Sequence, residues 1–260
     1  MRLKKHLGQH LLEDPATLSE IAEAAGVREG DAVFEIGPGP GTLTAVLAQR
    51  VGAEGRVLAV ELDRDWHGRL DAVRRTCPWV EVQWGDALAL DLDGLLEGPG
   101  WRCVANIPYY ITSPLVQKLV EARAHFSVMA LLMQREVAVR IDATRGRDVG
   151  PLSHYVHYHA RTEVALDVPA SAFRPPPKVA SALLVLRPLA APPVDVPFEM
   201  LRPLIATAFS ARRKMLRSTL RALMPGEGEV ESWLRRAEIA PTARAEDLGL
   251  DDFARLVRAR

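Results

Sequence analysis

The chain is poor in cysteine: Cys77 and Cys103 are the only two in 260 residues, and their spacing fits neither a disulfide framework nor a zinc site. They read as buried, reduced thiols, which points to a cytoplasmic protein. No apolar stretch reaches the roughly 18 residues of a membrane helix. Met1 to Asp14 lacks the apolar core of a secretory signal and meets Glu13 and Asp14 early. Net charge is also missing, since 33 Lys and Arg balance 33 Asp and Glu, so no whole-protein argument for a polyanionic partner survives. Aromatic residues make up only 6%, and the five tryptophans are scattered as packing residues. There is no internal repeat.

What is present is an ordinary globular composition, 48% hydrophobic and 25% charged, in a length that holds one sizeable α/β domain and a small appendage. Asp14-Pro15 opens a helix with apolar residues Leu18, Ile21, Ala22 and Ala25 at helical spacing. Residues 32–36 read as a strand that ends in Gly37-Pro38-Gly39-Pro40-Gly41, and Thr42 to Val51 returns to helical periodicity. Strands at 57–61, 80–84, 104–106 and 127–133 then alternate with helices at 64–75, 114–122 and 134–143. Two late strands at 162–168 and 182–187, an antiparallel hairpin, are joined through the proline-rich loop Phe173 to Lys178. The alternation predicts an α/β fold with a seven-stranded, mostly parallel Rossmann-like sheet covered on both faces. A Pro/Ala linker from Pro188 to Pro197 leads to a wholly helical pattern, which places a boundary near 192 between domains 1–191 and 192–260.

The glycine turn is chemically ambiguous by itself, because several cofactors sit at a helix N-terminus beneath such a loop. A dinucleotide fingerprint needs glycine or alanine at position 42, where this chain has Thr42. Glu35 followed by Gly37-x-Gly39-x-Gly41 instead matches a turn that binds S-adenosylmethionine (SAM). Glu61 and Asp86, at the ends of the second and third strands, are acceptors for ribose hydroxyls and for an adenine amino group. Each alone reads equally well as a solvated strand-end acid; three strand-end features in register favour a cofactor.

Asn106-Ile107-Pro108-Tyr109 follows the fourth strand and therefore lies at the same sheet edge. Adenine N6 is a poor nucleophile because its lone pair is delocalised into the ring. The Asn106 amide oxygen and the Pro108 carbonyl form a pair of acceptors for both N6 hydrogens, and proline brings no competing N–H. Tyr109 offers a face for base stacking. The competing reading is a strand-terminating Asn-Pro turn.

With these residues in place, the chain resembles the rRNA adenine dimethyltransferase family that modifies small-subunit rRNA. The resemblance runs from Leu7 to about residue 255. It rests on residues 7–14, Glu35 to Thr44, Asn106 to Pro114, 134–138, Phe173 to Ser181, and Ala208-Phe209 followed by Arg212-Arg213-Lys214 and Leu216-Arg217. It implies cofactor contacts from His10, Leu12, Gly37, Gly39, Glu61, Asp86 and Asn106, and a base clamp of Tyr109 and Phe173. Leu11, where the family usually has phenylalanine, and Tyr110, where asparagine is common, depart from the pattern.

Substrate RNA is expected at Lys4, Lys5, Arg212, Arg213, Lys214, Arg217 and Arg221, because residues 201–224 hold six basic residues and no acid. The alternative for that run is a solvated helix face. A monomer acting without metal is expected, and His154, His157 and His159 lack the companions of a metal site. Two other functions stay open from the sequence. One is a large-subunit rRNA adenine methyltransferase of the antibiotic-resistance type; the other is a non-catalytic RNA-binding assembly or transcription factor on the same fold.

Overall fold

The computed structural model describes residues 10–224, 226 and 228–260, and the predicted contacts of Lys4 and Lys5 lie outside them. The described chain forms two compact units, residues up to 138 with 162–188, and residues 139–161 with 189–260.

In the first unit, in chain order, β1 (Leu11–Leu12), α1 (Pro15–Ala24), β2 (Ala32–Ile36), α2 (Thr42–Val51), β3 (Arg56–Glu61), α3 (His67–Thr76), β4 (Val80–Trp84), α4 (Leu92–Leu95), β5 (Trp101–Asn106), α5 (Thr112–Glu121) and β6 (Phe126–Gln134) follow one another. Beyond them, α6 (Arg135–Asp142), α7 (Pro151–His159), β7 (Ala160–Val168), β8 (Phe173–Arg174) and β9 (Ser181–Pro188) complete the sheet region, with α6 and β7 spanning the division between units. The seven-stranded sheet has the order β4-β3-β2-β5-β6-β9-β7. β2 pairs in parallel with both β3 and β5, so the strand order reverses between them, and β9 runs antiparallel to β6.

A strand flanked on both sides and covered on both faces must be apolar at every position. In β2 the residues from Val33 to Ile36 are all buried, and Glu35, 1% exposed, is the one among them that is not apolar. α1 begins where the Asp14 carboxylate accepts the Thr17 N–H at 2.8 Å, the cap that the Asp14-Pro15 pair predicts. A second, two-stranded sheet joins β1 to β8, with Leu12 opposite Phe173.

The second unit contains α7, α8 (Phe198–Ala208), α9 (Leu216–Thr219), α10 (Glu229–Arg236) and α11 (Leu250–Arg258), around a core that includes Leu201, Leu220, Trp233 and Phe253. This corrects the expected boundary at 191/192, because residues 139–161 and 189–191 belong here. The cause is packing: Tyr158 is buried, its hydroxyl donates to the Val196 carbonyl at 3.1 Å, and its ring meets Phe198 at 5.2 Å. Val194 and Val196 are buried too, so the supposed linker is part of this core. A further correction concerns the basic run, which is not one helix from Arg212 to Arg221. The chain turns at 211–214 and Met215 bridges Arg244, so only Leu216–Thr219 is α-helical there.

Candidate functional site

A cavity of about 340 Å³ opens at the carboxyl ends of β2, β3 and β5 in the first unit, beside the reversal of strand order. That is where open parallel sheets take their ligands, because the loops diverge there. The glycine turn forms one wall. Gly37, Gly39 and Gly41 have φ of 70°, 54° and 85°, a left-handed region that side chains resist, which is why glycine recurs at every second position. The turn delivers the chain to the N-terminus of α2, and the Thr42 hydroxyl donates to the Leu12 carbonyl at 2.9 Å, tying β1 to the loop.

Three carboxyl groups line this cavity, Glu35, Glu61 and Asp86, and among the described residues no Lys or Arg does. Glu61 is 6% exposed; one oxygen accepts the Gly39 N–H at 2.9 Å and the other the Asp63 N–H at 2.7 Å, so it fastens the glycine turn to the end of β3. Burial raises its pKa. Asp86 accepts the Leu88 N–H at 2.9 Å through one oxygen, a turn that fixes the carboxylate at the cavity edge. Burial pushes Glu35 up to about 8, so it is chiefly a neutral acid at pH 7. Its Oε2 and the buried Thr44 hydroxyl beside it each lack a hydrogen bond of ordinary geometry, although the hydroxyl is near enough to hold the Glu35 pKa down in part. A buried polar atom without a partner costs roughly 1–3 kcal/mol. Such an atom beside a cavity is a place for a ligand donor. This set of acceptors without a Lys or Arg suits the hydroxyls, amino group and cationic centres of SAM.

The other end of the cavity is Asn106 to Ile111. The Asn106 amide nitrogen donates to the His10 carbonyl at 3.4 Å, which assigns the side chain's donor end to the protein and leaves its oxygen as the available acceptor. The Pro108 carbonyl already accepts the Ile111 N–H at 3.1 Å and retains a second lone pair. Tyr109 is half-buried; its hydroxyl shares a hydrogen bond with Ser181 at 2.9 Å, its ring stacks on His10 at 5.9 Å, and burial raises its pKa. His10 is itself held through its ring, whose Nδ1 donates to the Pro175 carbonyl at 2.8 Å. Phe173 lines the cavity but is 2% exposed, which makes it a packed wall. Tyr110 is 57% exposed at the rim.

The structure therefore gathers His10, Leu12, Gly37, Gly39, Glu61, Asp86, Asn106, Pro108, Tyr109 and Phe173 around one cavity. Sequence reasoning missed Leu62, Trp66 and Leu88, which also line it. Hydrophobicity after a strand-end acid is the only local signal for Leu62. The predicted RNA contacts Arg212, Arg213, Lys214, Arg217 and Arg221 are all exposed in the second unit. Two of them have structural work: Arg212 donates to the Val149 carbonyl at 3.1 Å, and Arg217 pairs with Glu231 at 3.5 Å. Among the described residues no helix is long and apolar enough to cross a membrane.

A reversing parallel sheet, a left-handed glycine turn and a cation-free acidic cavity define a Rossmann-like SAM-dependent methyltransferase. The chain belongs to the ribosomal RNA adenine dimethylase family, whose model matches residues 1–259. It is 41% identical to the ribosomal RNA small subunit methyltransferase A of Pelotomaculum thermopropionicum, over 96% of this chain and 89% of that one. Among solved structures it is similar to a dimethyladenosine transferase from Plasmodium falciparum, with a TM-score of 0.75, 27% identity, and coverage of 95% and 96%. The 23S rRNA methyltransferase ErmE matches at the same TM-score of 0.75 and 27% identity, with coverage of 96% and 98%.

Proposed function

We propose that this chain methylates the exocyclic N6 of adenine in small-subunit (16S) rRNA, with Asn106 and Pro108 as the pair that aligns the amine. The observation that carries the reading is the donation of the Asn106 amide nitrogen to the His10 carbonyl, which turns the amide oxygen into an acceptor at the cavity. In this reading the Asn106 oxygen and the second lone pair of the Pro108 carbonyl take the two N6 hydrogens. They turn the nitrogen lone pair out of the ring plane. Tyr109 stacks on the base and Phe173 backs it, while Glu61, Asp86, His10, Leu12, Gly37 and Gly39 hold the cofactor. Glu35 offers its unpaired oxygen to a cationic group there.

When bound, SAM supplies an electrophilic methyl group on a cationic sulfur. Positioning then lowers the barrier, and no strong base is required because the newly methylated nitrogen is acidic and loses its proton to water. One acceptor suffices to hold the monomethyl amine, so a second transfer follows on the same site.

The small-subunit assignment rests on relatives such as the 41% identical enzyme, named for that subunit. ErmE matches this fold as well as the dimethyladenosine transferase does, so shape alone does not separate the large-subunit alternative from the small-subunit one. Exposed Arg213, Lys214 and Arg221, with Arg212, Arg217, Lys4 and Lys5, are assigned to RNA phosphates. Two free, buried cysteines suit a cytoplasmic protein.

The test is transfer of labelled methyl groups to unmethylated small and large ribosomal subunits, mapped by primer extension. Stops at small-subunit adenines are expected. Label confined to large subunits would sink the substrate assignment, and wild-type protein that binds RNA without transferring label would favour a binding factor.

A further inference from the structure

The turn that carries Asp86 is gripped from outside the cavity. The Asp86 carbonyl accepts the Ala89 N–H at 2.9 Å and the Leu90 N–H at 3.2 Å, and this tight winding brings the carbonyls of Leu88 and Leu90 together. The half-buried Lys118 ammonium donates to the Leu88 carbonyl at 2.9 Å and also to that of Leu90. Lys118 stands on α5, whose first residue, Thr112, donates its hydroxyl to the Tyr109 carbonyl at 3.2 Å. Between them Leu115 and Val116 are fully buried, as are Leu119 and Val120 beyond, so the helix is fixed in the core. At 1.5 Å per residue, Lys118 lies about 9 Å along the axis from Thr112. One rigid helix thus ends at the base-presenting loop and, farther along, holds the turn under the opposite part of the same cavity.

A lysine kept only for solubility would leave its ammonium in water. This one gives two donors to adjacent main-chain carbonyls of a cavity loop, where Asp86, Ala87 and Leu88 all line the wall. We propose that Lys118 is a positioning residue for the cofactor. Through α5 it sets the Asp86–Leu88 turn at a fixed spacing from Asn106 to Tyr109, and so sets where the adenine end of SAM lies relative to the amine. The proposal rests on the assignment of Asp86 to that adenine.

The experiment compares Lys118→Met, which keeps the alkyl stem and removes the donors, with Lys118→Gln and the donor-retaining Lys118→Arg. Readouts are kcat, KM for SAM, KM for RNA, and the Kd of 5′-methylthioadenosine, which carries the adenine end without the amino acid. Lys118→Met is expected to raise the SAM KM and the methylthioadenosine Kd together by roughly tenfold, the scale of losing charge-assisted bonds to a positioned loop. The kcat should fall by a comparable factor, because the methyl donor is no longer set against the amine, while the RNA KM stays within about twofold, with Lys118→Gln intermediate and Lys118→Arg restored toward wild type. A purely structural lysine would lower the thermal midpoint and the active fraction while leaving both constants of the surviving enzyme unchanged, and that result overturns the proposal. Asp86→Ala, which removes the acceptor, is the reference. If it leaves methylthioadenosine binding unchanged, the adenine assignment falls and the proposal with it; if it weakens binding while Lys118→Met does not, the role of Lys118 alone is refuted.

Discussion

Each unit of the molecule buries one titratable side chain with an unpaired polar atom, and the two could hardly differ more in surroundings. Glu35 Oε2 in the first unit borders a cavity, whereas His154 Nε2 in the second is packed between the rings of Phe209 and Phe253, at centroid distances of 5.6 and 5.1 Å. Burial moves both away from their usual values and toward neutrality, Glu35 up to about 8 and His154 down to about 4, with the nearby His157 and Arg145 adding to the latter. An unpaired atom beside empty volume signals a ligand; one between aromatic rings signals a core that tolerates a neutral imidazole. Burial and a shifted pKa alone would have marked both as functional.

The largest test of that contrast is the pH dependence of ligand-free stability. A carboxyl with a folded pKa above its unfolded 4.5 stabilises fully below 4.5 and loses that contribution as pH rises to about 8. The slope is at most about 1.4 kcal/mol per pH unit, roughly 5 kcal/mol over the window. Thermal melts should show it in wild type and not in Glu35→Gln, and saturating S-adenosylhomocysteine should flatten it. A slope unaffected by ligand would place Glu35 with His154 as mere core.

Next in size, Asn106→Ala should reduce methyl transfer by roughly 10²–10³-fold, the cost of losing one preorganised hydrogen-bonding group. Its thermal midpoint should barely move, which single-turnover assays and calorimetry together would check. His154 should give an effect of opposite sign to Glu35. Its folded pKa of about 4 lies below the unfolded 6.5, so stability is lost as pH falls between them, by about 3 kcal/mol. Chemical denaturation from pH 7 to 4 should show this loss in wild type and not in His154→Leu, with or without cofactor. The smallest effect belongs to Arg213→Ala with Lys214→Ala. Removing two phosphate contacts should reduce the slope of log affinity against log salt by roughly two and leave kcat at saturating RNA unchanged.

The first unit was largely legible in the sequence because its register is local. Strands such as 32–36 and 80–84 are bounded by their own turns, so Glu61, Asp86 and Asn106 at strand ends had to fall on one sheet edge. The pairing of β1 with β8 was not legible, since two-residue strands as far apart in the chain as Leu12 and Phe173 carry no periodicity. α7 was hidden by composition: residues 151–159 hold three histidines, and only packing of Tyr155 and Tyr158 on Phe198 shows that they form a buried helix. The basic run misled because charge says nothing of backbone; a turn and the Met215–Arg244 bridge interrupt it. Lys118 carried no signal at all, as its partners are main-chain carbonyls.

That last point extends to Asn106. The group that orients its amide is the carbonyl of residue 10, and every amino acid has one. Alanine scanning across position 10 would therefore report on the His10 ring and remain blind to the contact that aims the Asn106 amide. Only shifting the backbone, by an inserted residue before β1 or by an ester in place of the following peptide bond, would expose it. A residue that matters through its main chain is poorly reported by side-chain substitution, and here the carbonyl of His10 holds the amide proposed to receive the amine.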